Sequence, residues 1–189
     1  MKEALFFNNY FLTLNQLTSF NQLTINKLIK VKKLLLSQKK NNKKILIFGN
    51  GGSSAIASHF SVDLTKNAKI RCSNYNEPDL ITCFSNDFGY DKWIEKAVDF
   101  YGDSQDIIIL ISSSGKSKNM LNGCKAARKK KFKSIITLTG FNGKNPLFKQ
   151  GDINFSVNSK AYNHIENTHQ VLLLALVDSI IGKTEYSVR

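Results

Sequence analysis

Lys44-Ile45-Leu46-Ile47-Phe48, followed at once by Gly49-Asn50-Gly51-Gly52-Ser53-Ser54, is the stretch on which the fold turns. The apolar run is short and does not alternate, which describes a strand buried on both faces, and the glycine turn closes it. Ser53–Lys66 then has helical spacing. The same strand–turn–helix unit recurs downstream. Asp106–Ile111 (DIIILI) ends in Ser112-Ser113-Ser114-Gly115, and a helix is expected over Lys118–Lys131. Between these units the pattern predicts a strand at Leu80–Phe84 and a helix at Asp91–Tyr101, with Trp93 and Val98 facing inward. Beyond them it predicts strands at Ser134–Thr139 and Ile153–Val157 and a closing helix at His164–Ile181. Apolar strands each followed by a helix give an α/β class, a doubly wound parallel sheet of about five strands.

Upstream, Leu5, Phe6, Leu12, Leu17, Leu23, Leu28, Val31, Leu34 and Leu35 recur at helical spacing, which predicts two helices hinged near Thr18–Thr24. The Lys39–Lys44 stretch reads as a solvated connector. The division expected is therefore 1–40 for a helical extension and 41–189 for the α/β domain.

Composition narrows the function classes. The 189 residues carry 27 Lys+Arg against 14 Asp+Glu, a formal charge of +13. Of those cations 24 are lysine and only three are arginine, alongside 20 asparagines. Base readout and bidentate phosphate clamps favour arginine, so this charge reads as lysine-rich surface rather than a nucleic-acid footprint. Cys72, Cys83 and Cys124 are odd in number and lack CxxC spacing, which excludes a disulfide framework or zinc finger. No apolar run is long enough to span a membrane, and the N-terminus lacks a signal-peptide pattern. The expected location is the cytoplasm.

Open parallel sheets bind ligands beyond the carboxyl ends of their strands. Two turns at that edge have unusual composition. In Gly49–Ser54 the glycines admit close approach of an anion, and the following helix presents free N–H groups. The turn is neither GxGxxG nor a P-loop, so no nucleotide cofactor is expected. In Ser112-Ser113-Ser114-Gly115-Lys116-Ser117, four hydroxyls surround one glycine at a helix start. Lys116 and Lys118 flank these serines and raise the local potential. Together the turns point to a small phosphorylated ligand.

Several ordered motifs carry a resemblance. Phe48–Ser53 (FGNGGS) with His59 and Asp63, Ser85–Tyr90 (SNDFGY), Ser112–Ser117 (SSSGKS), Ile136–Gly140 (ITLTG) and Ile165–His169 (IENTH) together resemble the sugar-isomerase (SIS) domain. Within it they are similar to phosphoheptose isomerases, which convert sedoheptulose 7-phosphate to D-glycero-D-manno-heptose 7-phosphate. The resemblance implies a flavodoxin-like five-stranded sheet and a homotetramer whose central bundle is built by the N-terminal helices. It also implies a phosphorylated sugar as partner. Carried over by position, Ser112, Ser113, Ser114 and Ser117 would hold the phosphate. Asn50, Gly51, Gly52 and Ser53 would border the sugar, and Asn86 and Asp87 would bind its hydroxyls. The family's zinc and acid/base set is a His, a Glu four residues on, then a Gln or Glu and a His eight residues apart. His59 matches the first, Asp63 shortens the second by a methylene, Glu166 matches the third, and Leu174 replaces the last.

His59 with Asp63 and Glu166 with His169 each share a helix face, so a site of two histidines and two carboxylates is chemically admissible. The alternative for His169 is a packed histidine, and His164 has no assigned role. Three outcomes follow from the leucine. Asp63 and Glu166 run a metal-free enediol isomerisation, the site serves a related sugar phosphate, or the chain binds a sugar phosphate without turnover. The last would match SIS modules in regulators, or a related tetramer that binds a replication initiator.

Overall fold

The computed structural model of the chain describes residues 2–185. Two helices open it, α1 (Lys2–Thr18) and α2 (Gln22–Lys40), broken where Asn21 caps α2 by accepting the Thr24 N–H at 3.0 Å. Then follow β1 (Ile45–Gly49), α3 (Gly52–Lys66), β2 (Cys72–Ser73), α4 (Pro78–Phe88), α5 (Trp93–Tyr101) and β3 (Ile107–Ser112). α6 (Lys118–Lys129), β4 (Ser134–Thr139), β5 (Ile153–Ser156) and α7 (Tyr162–Ile181) complete the chain. Short 3-10 turns lie at Tyr90–Lys92 and Phe141–Gly143. The five strands are parallel in the order β2-β1-β3-β4-β5, a doubly wound sheet of the flavodoxin type.

One expected element is corrected. Leu80–Phe84 is not a strand but the middle of α4. Pro78 sits in the first turn, where its missing N–H costs nothing. Leu80, Ile81 and Phe84 then share a helical face against the core. The second strand is instead Cys72–Ser73, which pairs with Ile45 and Leu46. Two residues at a sheet edge leave almost no periodic signal.

The pleat sorts the core into two layers. Ile45, Ile47, Ile107, Ile109 and Ile111 face α2, α3 and α7. Leu46, Phe48, Ile108 and Leu110 face α5 and α6, where Trp93 meets Phe48 edge to face at 5.7 Å. Each of these side chains contributes about 1.5–3 kcal/mol through burial. Asp106 is a buried carboxylate between β1 and β3. It accepts the N–H of Lys44 at 3.0 Å and that of Asp103 at 2.9 Å, and pairs with the Lys44 ammonium at 2.8 Å. Val31 and Leu35 tie α2 into the core, whereas no residue of α1 is buried. Both glycine- and serine-rich turns therefore leave adjacent strands at the same edge.

Candidate functional site

Gly49 pairs with Ile111 at the ends of β1 and β3, so the turns that follow start side by side. In the first, Gly51 has φ +54°, a left-handed conformation that favours glycine. Gly52 opens α3 against Glu166, and a Cβ there would lie 2.3 Å from the Glu166 Oε2. In the second, Gly115 has φ +63°, and a Cβ would lie 1.9 Å from the Asn145 Oδ1. The Gly115 N–H donates to the Ser112 carbonyl at 2.9 Å and lies 3.2 Å from its hydroxyl. The hydroxyls of Ser112 and Ser117 are 3.3 Å apart. Asn145 is buried and donates to the Gly140 carbonyl at 3.2 Å, bracing the serine turn from the β4–β5 connection.

Between these turns and the start of α7 lies a cavity of ≈ 150 Å³. Asn50, Ser53, Ile111, Ser112, Ser113, Ser114, Ser117, Tyr162 and Glu166 line it. Among the described residues the Ser113 hydroxyl is buried without a hydrogen-bond partner. A buried hydroxyl left unpaired costs about 1–3 kcal/mol, so this wall gains from any partner that reaches it. Ser117, the N-cap of α6, lines the same space, so the positive end of that helix lies beside it. Glu166 is the carboxylate of the cavity, and partial burial raises its pKa above the ordinary value. A carboxylate shifted upward is a better proton acceptor than an ordinary one.

The remaining candidates lie around this cavity rather than on its lining. Gly51 and Gly52 form the turn under Glu166. Asn86 and Asp87 are exposed at the end of α4, where the Asn86 amide donates to Asp87 at 3.0 Å. Tyr90, just beyond them in sequence, reaches a cavity residue: its hydroxyl donates to the Asn50 Oδ1 at 3.2 Å. Two turns farther along α3, the His59 Nε2 is 3.3 Å from the Asp63 Oδ2, and its Nδ1 is 3.3 Å from the Gln170 amide nitrogen. An Nε2–H tautomer satisfies both contacts. Glu166, Gln170 and Leu174 follow one another at four-residue intervals on one face of α7.

These side chains do not fit a metal. Among the described residues no three His, Cys, Asp or Glu side chains converge to hold an ion. His59 and Asp63 pair with each other, Glu166 faces the serine turn, and the position that the resemblance gives to a fourth ligand is a leucine. His169 is fully buried, and its Nε2 lies 3.1 Å from the Thr139 carbonyl, to which it donates. Burial pulls its pKa down to about 4, so it is a neutral packed histidine. His164 packs its ring on Tyr10 of α1, with centroids 4.2 Å apart. Three participants escape sequence reasoning: Asn119, Tyr162 and Gln170. An asparagine at a helix start and single residues on long helices carry no local signal of a shared cavity.

Comparison with known proteins gives the arrangement its relatives. The SIS domain family model matches residues 9–140. The phosphoheptose isomerase of Glaesserella parasuis serovar 5 (strain SH0165) is 36% identical over 160 residues, covering 78% of this chain and 82% of that protein. Phosphoheptose isomerase GmhA from Neisseria gonorrhoeae superposes with a TM-score of 0.84 at 27% identity, covering 95% of this chain and 96% of that one. A phosphoheptose isomerase from Francisella tularensis gives 0.85 at 28% identity, covering 97% and 100%. The chain belongs to the SIS domain family, within its phosphoheptose isomerase branch.

Proposed function

We propose that the protein interconverts the ketose and aldose forms of a seven-carbon sugar phosphate, taking sedoheptulose 7-phosphate to D-glycero-D-manno-heptose 7-phosphate. The observation that carries this reading is the shared cavity: Ser113 with its unpaired hydroxyl, the serine-lined start of α6 and the raised-pKa carboxylate of Glu166 all line one space. The phosphate sits against Ser112, Ser113, Ser114 and Ser117, with the N–H groups of α6 opposing its charge. The carbon chain then runs past Gly52 and Glu166 along the groove between α3 and α7. From Gly52 to His59 the helix rises about 10 Å, a length that suits a long sugar phosphate better than a triose.

Isomerisation requires a base to move a proton between the two carbons and donors to steady the enediolate oxygen. Glu166 and Asp63, the latter working beside His59, are the two carboxylates assigned to proton transfer. Asn50 and Ser53 face the sugar, and Asn86 and Asp87 lie where α4 would approach its hydroxyls. The donor set of this chain gives no reason to route a step through zinc. α1, apolar and unburied, is assigned to contacts between subunits of a homotetramer. The reading places the protein in the cytoplasm, in the supply of heptose for lipopolysaccharide or capsule.

Incubation of the pure protein with sedoheptulose 7-phosphate, followed by NMR with and without added zinc, tests the proposal. Aldose should accumulate at a rate that zinc leaves unchanged. No turnover, together with a higher melting temperature in the presence of the sugar phosphate, would instead mark a binding module. Leu174 favours that second reading, because it puts an aliphatic side chain where the family's resemblance expects a proton-transferring histidine.

A further inference from the structure

Asn50 is held by its own protein to an unusual degree. Its Nδ2 donates to the Asn119 Oδ1 at 3.1 Å, and the Asn119 Nδ2 donates back to the Asn50 Oδ1 at 2.9 Å. That same Oδ1 accepts the Tyr90 hydroxyl at 3.2 Å. Asn119 is 2% exposed, and its Oδ1 also accepts the Met120 backbone N–H at 2.9 Å.

A carboxamide offers two lone pairs and two N–H groups. On Asn50 both lone pairs and one N–H are spent inside the protein. One N–H remains, on a residue that lines the cavity. Nor can the two amides turn over freely. A backbone N–H is only ever a donor, so Met120 dictates which end of Asn119 is oxygen. Asn119 in turn dictates which end of Asn50 is oxygen. A peptide group of α6 thereby sets the chemical character of a side chain on the β1 turn, 69 residues away.

We propose that Asn119 and Tyr90 are positioning residues that lock Asn50 as an N–H donor toward the sugar oxygen that gains negative charge during isomerisation. The assignment rests on the sugar-phosphate reading above. A donor aimed in advance stabilises the charged intermediate without reorganising, whereas a free amide would present its oxygen part of the time. Asp at 119 keeps the shape and both acceptor contacts but cannot return a hydrogen bond to the Asn50 Oδ1. It sets oxygen against oxygen whichever way the Asn50 amide lies, so the pair is pushed apart and the direction of Asn50 is no longer fixed.

The test uses the full chain, 15N-labelled, and kinetics on the same samples. In the wild type, one of the two Asn50 side-chain amide protons should shift on addition of sedoheptulose 7-phosphate while the other stays. In Asn119→Asp that response should vanish, although the backbone amides of the serine turn still titrate with inorganic phosphate. Turnover should fall about 10- to 100-fold in kcat, with the inorganic phosphate affinity within about twofold of wild type. Asn50→Ala, Asn119→Asp and the double variant should lose the same factor. Losses that multiply, or an Asn50 response that survives in Asn119→Asp, would overturn the proposal. Tyr90→Phe removes only an exposed hydroxyl and guards against a misfolded Asn119 variant. It should lower kcat about fivefold, and an unchanged kcat with an unchanged amide response would count against the lock. If the wild type does not turn over, the isomerase reading fails by itself and the amide response still decides the lock.

Discussion

At the scale of single residues, Glu166 and His169 show one helix doing two unrelated jobs. Three residues apart on α7, one opens to the serine turn and the other is sealed under β4. Glu166→Gln keeps the size but cannot exchange a proton. It should cut kcat by about 10²–10⁴-fold while sugar-phosphate affinity, read by calorimetry, changes little. His169 predicts a pH effect on folding. The unfolded side chain binds its proton near pH 6.5, whereas the folded one resists until about 4. Between these values the unfolded state holds more protons, so stability rises with pH across that window and falls as acid is added. Denaturant titrations should show this slope in the wild type and a flatter one in His169→Phe. The sequence alone left His169 open between ligand and packed residue, because i, i+3 spacing with Glu166 fits both. Only the Thr139 carbonyl, 30 residues away, separates them.

At the scale of elements, what was legible is what repeats. β1 and β3 are read directly from apolar runs that no polar residue interrupts, β4 from a β-branched run with Thr137 inside it, and the serine and glycine turns from their composition. β2 and α4 were exchanged, for a physical reason. Leu80–Phe84 holds enough apolar residues for a strand, and only Pro78 and the register to Phe88 make it a helix. The four serines read as one site because they fall within six residues, but Asn145, which braces them, comes from another connection. Gly115 is where this bracing is most exposed to test. Gly115→Ala must hold φ near +63° and push a methyl into Asn145. It should destabilise by about 1–3 kcal/mol and weaken phosphate binding, seen as a lower melting temperature and a smaller rise on adding phosphate.

For the whole molecule, α1 is the anomaly. Leu5, Phe6, Phe7, Phe11 and Leu12 are all more than half exposed, and Phe6 with Phe7 and Tyr10 with Phe11 meet edge to face along the helix itself. If this surface joins subunits, light scattering should give a tetramer for the wild type and a smaller species for Phe7→Glu with Phe11→Glu. The melting temperature of the wild type should also climb with protein concentration. A monomer at every concentration would remove the subunit assignment. No helix among the described residues is long and apolar enough to cross a membrane. The pairing of Gly49 with Ile111 reaches further than the site it places. The gap between the glycine turn and the serine turn is one inter-strand step of about 4.8 Å, set by peptide groups that every sequence shares. Selection can therefore rewrite the chemistry of either turn without disturbing the frame that spaces them. A fold of this kind can change its ligand one loop at a time, each intermediate still assembling a pocket of phosphate width.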